Sequence, residues 1–166
     1  MSLGELLLLS DLVRQAGRGK LVHRHSDPWG DILVIDQGEH RVLTFGTIYE
    51  QSRLNKRYPA LMVHHYIRGM MLSLAFREPK HVTLLGLGSG CLLQGLQAMP
   101  APPRVAVVEH RQAVVDVARD YFWLPEAGNI SVNVSDASAY LKRTAAVQAT
   151  PVMCWARTSS AGISCG

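Results

Sequence analysis

The run Val82-Thr83-Leu84-Leu85 followed by Gly86-Leu87-Gly88-Ser89-Gly90 constrains the fold of this chain more than any other stretch. A short apolar segment ending in closely spaced glycines is how a buried strand turns sharply into a helix, because glycine accepts positive φ and lets other groups approach the backbone. The rhythm then repeats. Cys91 to Met99 reads as a helix broken by Pro100 to Pro103, and Val105–Val108 is a second apolar run that ends at Glu109. Ala113 to Phe122 follows as a helix with Val114, Val115, Ala118 and Tyr121 inward. Ile130–Val134 alternates as a third strand, and Asp136 is placed to cap a short helix through Leu141. Strands alternating with helices at these lengths call for an α/β domain with a parallel sheet and right-handed crossovers.

The upstream part has a different chemistry. Leu21–His23, Ile32–Ile35 and Arg41–Phe45 are strand-like, and Asp27-Pro28-Trp29-Gly30-Asp31 and Asp36-Gln37-Gly38-Glu39 separate them with turn residues. They predict a small antiparallel hairpin or meander. Gly46 to Arg57 is polar and reads as a loop. Pro59 suits the first turn of a helix, and Val63, Ile67, Met70, Met71 and Leu74 then mark one apolar face running to Phe76. Leu6, Leu7, Leu9, Leu12 and Val13 predict a short amphipathic helix closed by Gly17-Arg18-Gly19. The chain therefore divides into an N-terminal helix and β-hairpin region (1–57), an α/β domain (58–143) and an atypical tail (144–166). The tail has no acid and no sustained period. A doubly wound domain should continue after its third strand with further strands and helices. Two readings of the tail stand side by side: a natural sequence interrupted near residue 144 by truncation or a shifted frame, and an ordinary Ala/Ser-rich terminal segment.

Composition removes several function classes. A length of 166 residues fits one domain, and 48% hydrophobic with 18% charged residues excludes a disordered chain. No apolar run approaches the ~20 residues of a membrane span. Leu6–Leu9 ends at Ser10-Asp11 with no basic residue ahead of it, unlike a signal peptide. Three cysteines (Cys91, Cys154, Cys165) at unrelated spacings form neither a disulfide framework nor a zinc site, so a cytoplasmic location is expected. The net charge of +4 is concentrated late: residues 1–136 hold 14 bases against all 13 acids, and residues 137–166 hold three bases and no acid. No basic stripe with interleaved aromatics appears, so nucleic-acid binding is not expected.

The glycines point to a ligand. The helix N-terminus beyond them offers unpaired N–H groups to polar or anionic atoms. Glu109 lies 23 residues after Gly86, where a strand-end carboxylate can accept hydrogen bonds from both hydroxyls of a ribose. A dinucleotide fingerprint would need glycine at position 91, where this chain has Cys91. The GxGxG spacing favours a nucleoside without pyrophosphate, such as S-adenosylmethionine. The third strand ends at Ser135-Asp136-Ala137, where an acid can meet an adenine amino group. His110 could touch ribose or adenine edges, or be a plain surface histidine. All of these lie on the carboxyl edge of the sheet, where open α/β sheets bind ligands. Against this stands the simpler reading that the glycines make a tight turn and nothing more.

Gly86-Leu-Gly-Ser-Gly90, Val107-Val108-Glu109-His110, Val114-Val115-x-Val-Ala118-Arg119-x-Tyr121-Phe122 and Ser135-Asp136-Ala137-x-x-Tyr140-Leu141 together resemble the spermidine synthase (polyamine aminopropyltransferase) family. Gly30-Asp31-Ile-Leu-Val-Ile-Asp36-x-Gly38 is similar to that family's N-terminal β-domain. The resemblance covers about residues 20–143. Single motifs are shared with S-adenosylmethionine methyltransferases; their order and the hairpin favour the aminopropyltransferases. The resemblance implies a Rossmann-like, S-adenosylmethionine-dependent methyltransferase fold, incomplete at the C-terminus. It implies S-adenosylmethionine or its decarboxylated form as substrate, aminopropyl transfer to a small-molecule amine such as putrescine, and a homodimer using the β region and the 58–76 helix. Gly86, Gly88 and Gly90 would contact the methionine-derived part, Glu109 the ribose, and Asp136 with Ala137 the adenine. The chain also departs from the family. Where members carry an Asp-Glu stretch and a Tyr-His-Glu sequence, it has Glu50-Gln51-Ser52 and Tyr58-Pro59-Ala60, and no carboxylate follows Asp136. No catalytic residue is therefore assigned. The alternatives are a methyltransferase and a catalytically silent binding or dimerisation module.

The remaining candidates have structural readings. His64 and His65 would point about 100° apart on the polar side of a helix and make poor joint metal ligands. His23 and His25 share a side of one strand but have no third ligand, so no metal site is expected. Cys91 begins a helix yet lacks a His or Asn partner pattern, which favours a buried small hydrophobe. Trp29, Tyr49 and Tyr66 could line an acceptor pocket, but aromatics in a contact between hairpin and helix are usually core.

Overall fold

A computed structural model describes residues 19–47, 49–75, 79–144 and 152–154. The helix expected within residues 1–19 falls almost wholly outside them, as do Phe76 and most of the tail. The first four strands are β1 (Lys20–Asp27), β2 (Gly30–Gln37), β3 (His40–Thr44) and β4 (Glu50–Asn55), which form an antiparallel sheet in the order β1-β2-β3-β4. Turns at Pro28-Trp29 and Gly38-Glu39 set the registers Asp27↔Gly30 and Gln37↔His40. Gly30 and Gly38 hold φ of 107° and 57°, which explains glycine at both corners.

The fourth strand corrects the expected loop at 46–57. Its sequence Glu-Gln-Ser-Arg-Leu-Asn is too polar to read as a strand, but Ser52 and Leu54 both turn one way and are fully buried. Pairing with β3, from His40↔Asn55 to Leu43↔Ser52, provides what propensity did not. A second correction concerns the helix expected from Pro59. Helix α1 spans His65–Ala75, and Pro59 lies in the turn before it. The apolar face is as expected at Ile67 and Leu74, which are buried, with Met70 and Met71 packed beside them.

The parallel half is β5 (His81–Leu85), α2 (Cys91–Gln97), β6 (Arg104–Glu109), α3 (Gln112–Phe122), β7 (Ile130–Val134) and α4 (Ala137–Thr144), followed by β8 (Val152–Cys154). These strands lie in the order β7-β6-β5-β8, all parallel. The chain runs from β5 outward to β7, and β8 then sits on the other side of β5. That reversal is a topological switch point, and it lies beside the glycine loop. Strand β8 corrects the expectation of a tail without regular structure. Its three residues are too few to show a period, and the edge of β5 aligns them through Thr83↔Val152, Leu84↔Met153 and Leu85↔Cys154.

One core joins both sheets. Ile32, Val34, Leu43 and Leu54 of the antiparallel sheet meet Ile67 of α1, Leu93 and Leu96 of α2, Val107 of β6 and Phe122 of α3. Each such side chain contributes about 1.5–3 kcal/mol on burial, so the two sheets stabilise each other. Trp29, Tyr49 and Tyr66 do not belong to this core. They are 58%, 67% and 47% exposed, because the turns and the outer side of α1 that carry them face outward.

Candidate functional site

The turn after β5 is built from three left-handed glycines, with φ of 92° at Gly86, 58° at Gly88 and 77° at Gly90. A side chain at Gly90 would also meet Leu124 Cδ1 at 2.6 Å. Gly90 is the N-cap of α2 and, as glycine, offers no side-chain cap to the first N–H groups of that helix. The Gly86 N–H donates to the Val108 carbonyl at 2.7 Å, which ties the loop to the end of β6.

Glu109 closes that edge. It is only 9% exposed, and its carboxylate accepts the Leu87 N–H at 2.9 Å through Oε2 and the Arg111 N–H at 3.0 Å through Oε1. One carboxylate thus holds the glycine loop and the following β6–α3 turn together. A carboxylate has about four acceptor positions, so two remain after these bonds. Its own carbonyl accepts the Ser135 N–H at 2.9 Å, which links the end of β7 to the same edge. Asp136 is exposed and caps α4, with Oδ1 accepting the Ala139 N–H at 2.8 Å. This is the cap expected from the sequence, and Ala137 is the first residue of the helix it starts. His110 is exposed, and its ring meets the edge of Trp29 at 4.7 Å. The sheet therefore brings Gly86, Gly88, Gly90, Glu109 and His110 to neighbouring strand ends. Asp136 and Ala137 stand one strand further out.

Two contacts at this edge were not legible in the sequence. Ser52 of β4 reaches the glycine loop: its hydroxyl bonds the Ser89 hydroxyl, accepts the Ser89 N–H at 3.2 Å and lies 3.6 Å from Cys91 Sγ. Both serines are fully buried. Burial pushes the Cys91 thiol up, against the hydrogen bonds of Ser52 and Ser89, which leaves it an unreactive group inside the loop as its sequence context suggested. The second contact is between Arg111 and Asp27, which are 84 residues apart in sequence. Arg111 grips the Asp27 carboxylate with two bonds of 2.9 and 2.7 Å and donates to the Gly30 carbonyl at 2.8 Å. Burial opposes the charge of Asp27, yet the hydrogen bond and charge of Arg111 and the Trp29 N–H hold its carboxyl below the ordinary carboxylate range.

Two of the other histidines are engaged in packing contacts. His23 stacks on Tyr121 and bonds its hydroxyl at 3.0 Å. His64 precedes α1 and stacks on Tyr66, and burial pushes its pKa down despite the nearby Glu50. Among the described residues no three His, Cys, Asp or Glu side chains gather as metal ligands, and no helix is long and apolar enough to cross a membrane.

No family model matches the chain. Curated relatives do. A polyamine aminopropyltransferase of Neisseria meningitidis is 30% identical over 115 residues, which is 68% of this chain and 44% of the relative. A polyamine aminopropyltransferase of Vibrio vulnificus is 24% identical over 132 residues, covering 76% of this chain and 44% of the relative. The chain is a divergent spermidine synthase-like protein. It spans under half the length of these curated relatives. A solved structure of a probable spermidine synthase from Corynebacterium glutamicum matches 73% of this chain and 47% of its own, with a TM-score of 0.62 at 17% identity. The spermidine synthase-like fold therefore accounts for both halves seen here, the antiparallel sheet and the parallel sheet it leans on. Among methyltransferases the fold recurs with a TM-score of 0.50, in human methyltransferase-like protein 13.

Proposed function

We propose that this protein is a spermidine synthase-like transferase whose carboxyl edge binds the adenosyl part of a sulfonium substrate, S-adenosylmethionine or its decarboxylated form. The observation that carries the reading is the pairing of a left-handed glycine loop with a nearly buried strand-end carboxylate, Glu109, beside a topological switch point. The two acceptor positions that Glu109 keeps suit the two hydroxyls of a ribose. Gly86, Gly88 and Gly90 let a ligand approach the loop, and Asp136 with Ala137 flanks the adenine position. The aminopropyltransferase relatives support aminopropyl transfer to a small-molecule amine. That reaction is a displacement at a carbon beside sulfonium, in which the amine nitrogen forms the new bond, the thioether leaves and a base accepts the nitrogen's proton. No residue of this chain is assigned as that base. The same reading includes a homodimer, by resemblance, and a cytoplasmic protein without nucleic-acid or membrane partners, by cysteine usage, charge pattern and the lack of a long apolar run.

Calorimetric titration with decarboxylated S-adenosylmethionine, S-adenosylmethionine and methylthioadenosine tests it. Binding of methylthioadenosine, with the decarboxylated sulfonium preferred over S-adenosylmethionine, is the expected result. A preference for S-adenosylmethionine would replace aminopropyl by methyl transfer. A folded chain that binds none of the three would overturn the reading. Glu109→Ala is a poor control for this experiment. It would orphan the Leu87 and Arg111 N–H groups, at a cost of about 1–3 kcal/mol each, and so confound binding with stability.

A further inference from the structure

We infer that Arg111 and Asp27 act as a positioning relay through which the antiparallel sheet aims the Glu109 carboxylate at its ligand. The inference rests on the adenosyl reading above and adds to it a specificity role for a pair of residues outside the glycine loop.

The two ends of Arg111 do different work. Its backbone N–H donates to Glu109 Oε1 at 3.0 Å, while its guanidinium runs back to the β1–β2 turn. Arg111 is the N-cap of α3, with an extended backbone (φ −105°, ψ 114°) and no side-chain cap bond. The helix holds Arg111 through its carbonyl, which accepts the Val114 and Val115 N–H at 3.0 and 3.4 Å, while its own N–H lies outside the helical bonding. The guanidinium supplies a second constraint, from the other sheet. It makes two bonds to Asp27, one to the Gly30 carbonyl and lies 4.8 Å from the Phe45 ring centre. Asp27 is held in turn by the Trp29 N–H at 2.8 Å. The side chains of the pair are 9% and 10% exposed, so water competes little for either charge. A planar, two-pronged grip of this kind fixes orientation as well as distance, which a lysine at 111 would not do. The second constraint on Glu109, the Leu87 N–H, comes from the glycine loop. Glu109 is thus aimed from both sides, by its own sheet and by the other one. Each oxygen spends one acceptor position on the protein and keeps another.

Aim matters because hydrogen bonds to a carboxylate are steep in angle. A relay of this kind predicts a loss confined to the ribose hydroxyls, whereas loosening of the fold weakens every ligand alike. The probes are methylthioadenosine and its 2′,3′-dideoxy analogue, titrated against the full chain. Wild-type protein should prefer the hydroxylated ligand by roughly a hundredfold, the value of two hydrogen bonds to a charged acceptor. Asp27→Asn and Arg111→Lys should each shrink that preference about tenfold, while the dideoxy analogue binds within about threefold of wild type. Arg41→Gln is the structural control. Arg41 joins the same two layers elsewhere, pairing with Asp36 and donating to the Tyr121 carbonyl at 2.9 Å, so its loss should lower the melting temperature and leave the preference intact. If Asp27→Asn does not fold, Arg111→Lys alone decides. An unchanged preference, or equal weakening of both ligands, overturns the relay. A wild-type chain indifferent to the ribose hydroxyls overturns the adenosyl reading, and the relay with it.

Discussion

The two sheets reach the same edge by opposite means. The parallel sheet supplies its part locally: Gly86, Gly88, Gly90 and Glu109 lie within one strand–helix–strand unit, and each is placed by the end of its own strand. The antiparallel sheet supplies its part at long range, through Ser52 to Ser89 and Asp27 to Arg111. The first set can be recognised by spacing along the chain. The second is defined only by docking, and it uses polar groups that pair fully because the dock excludes water. A site shaped on one sheet and held by the other should lose stability through residues of either sheet, and selectivity through the contacts that join them.

The largest break in that comparison should come from Arg111→Ala. It leaves Asp27 nearly buried without its partner and should cost about 3 kcal/mol, read as a shift of the urea midpoint with an unchanged slope. On the parallel side, Gly90→Ala combines a positive φ with a clash against Leu124 and should cost on the order of 2 kcal/mol. Gly95→Ala is its internal contrast. Its added methyl meets only the flexible end of Met62, at 2.6 Å, within a helix that favours alanine, so the change should stay below about 1 kcal/mol.

Acid sharpens the comparison further. Asp31 is held below its ordinary value by the Ser26 hydroxyl and Arg24, Asp36 by Arg41 and Lys56, and Asp27 by Arg111 against the effect of burial. All three belong to the antiparallel sheet. A depressed folded pKa gives stability that is present above the unfolded value of 3.8 and is lost as pH falls through the folded value. Amide exchange below about pH 4 should therefore rise first in β1–β3, before β5 and β6. Asp27→Asn should flatten that acid limb. Smaller still is Asp136→Ala, which removes the exposed cap of α4 and should cost about 1 kcal/mol without touching the glycine loop.

The legibility of the molecule follows the same division. β5, β6, α2 and α3 were readable because each carries an apolar period long enough to identify and ends in glycine, proline or acid. The glycine loop and Glu109 were readable because strand ends put them at fixed sequence spacing. Glu50–Asn55 was not, since two of its three buried residues, Ser52 and Asn55, are polar and only Leu54 is apolar. Val152–Cys154 was too short to have a period. Pro59 misplaced the start of α1 because proline suits the turn before a helix as well as its first turn. Trp29, Tyr49 and Tyr66 depart from the core reading because aromatic character favours burial without specifying which side of an element faces in.

By itself the amino-acid sequence determined the α/β half, the three-stranded part of the antiparallel meander, the glycine turn and the acids that end β6 and cap α4. Those features depend on near neighbours, where φ preference, strand alternation and helix capping act over a few residues. Only the tertiary structure decided that Ser52 would meet Ser89, that Asp27 would hold Arg111, and that Glu109 would take one bond from each neighbouring turn. Such pairings carry no local signal, because a buried hydrogen bond or ion pair selects its partner by what the packed layers bring within about 3 Å once water has been removed.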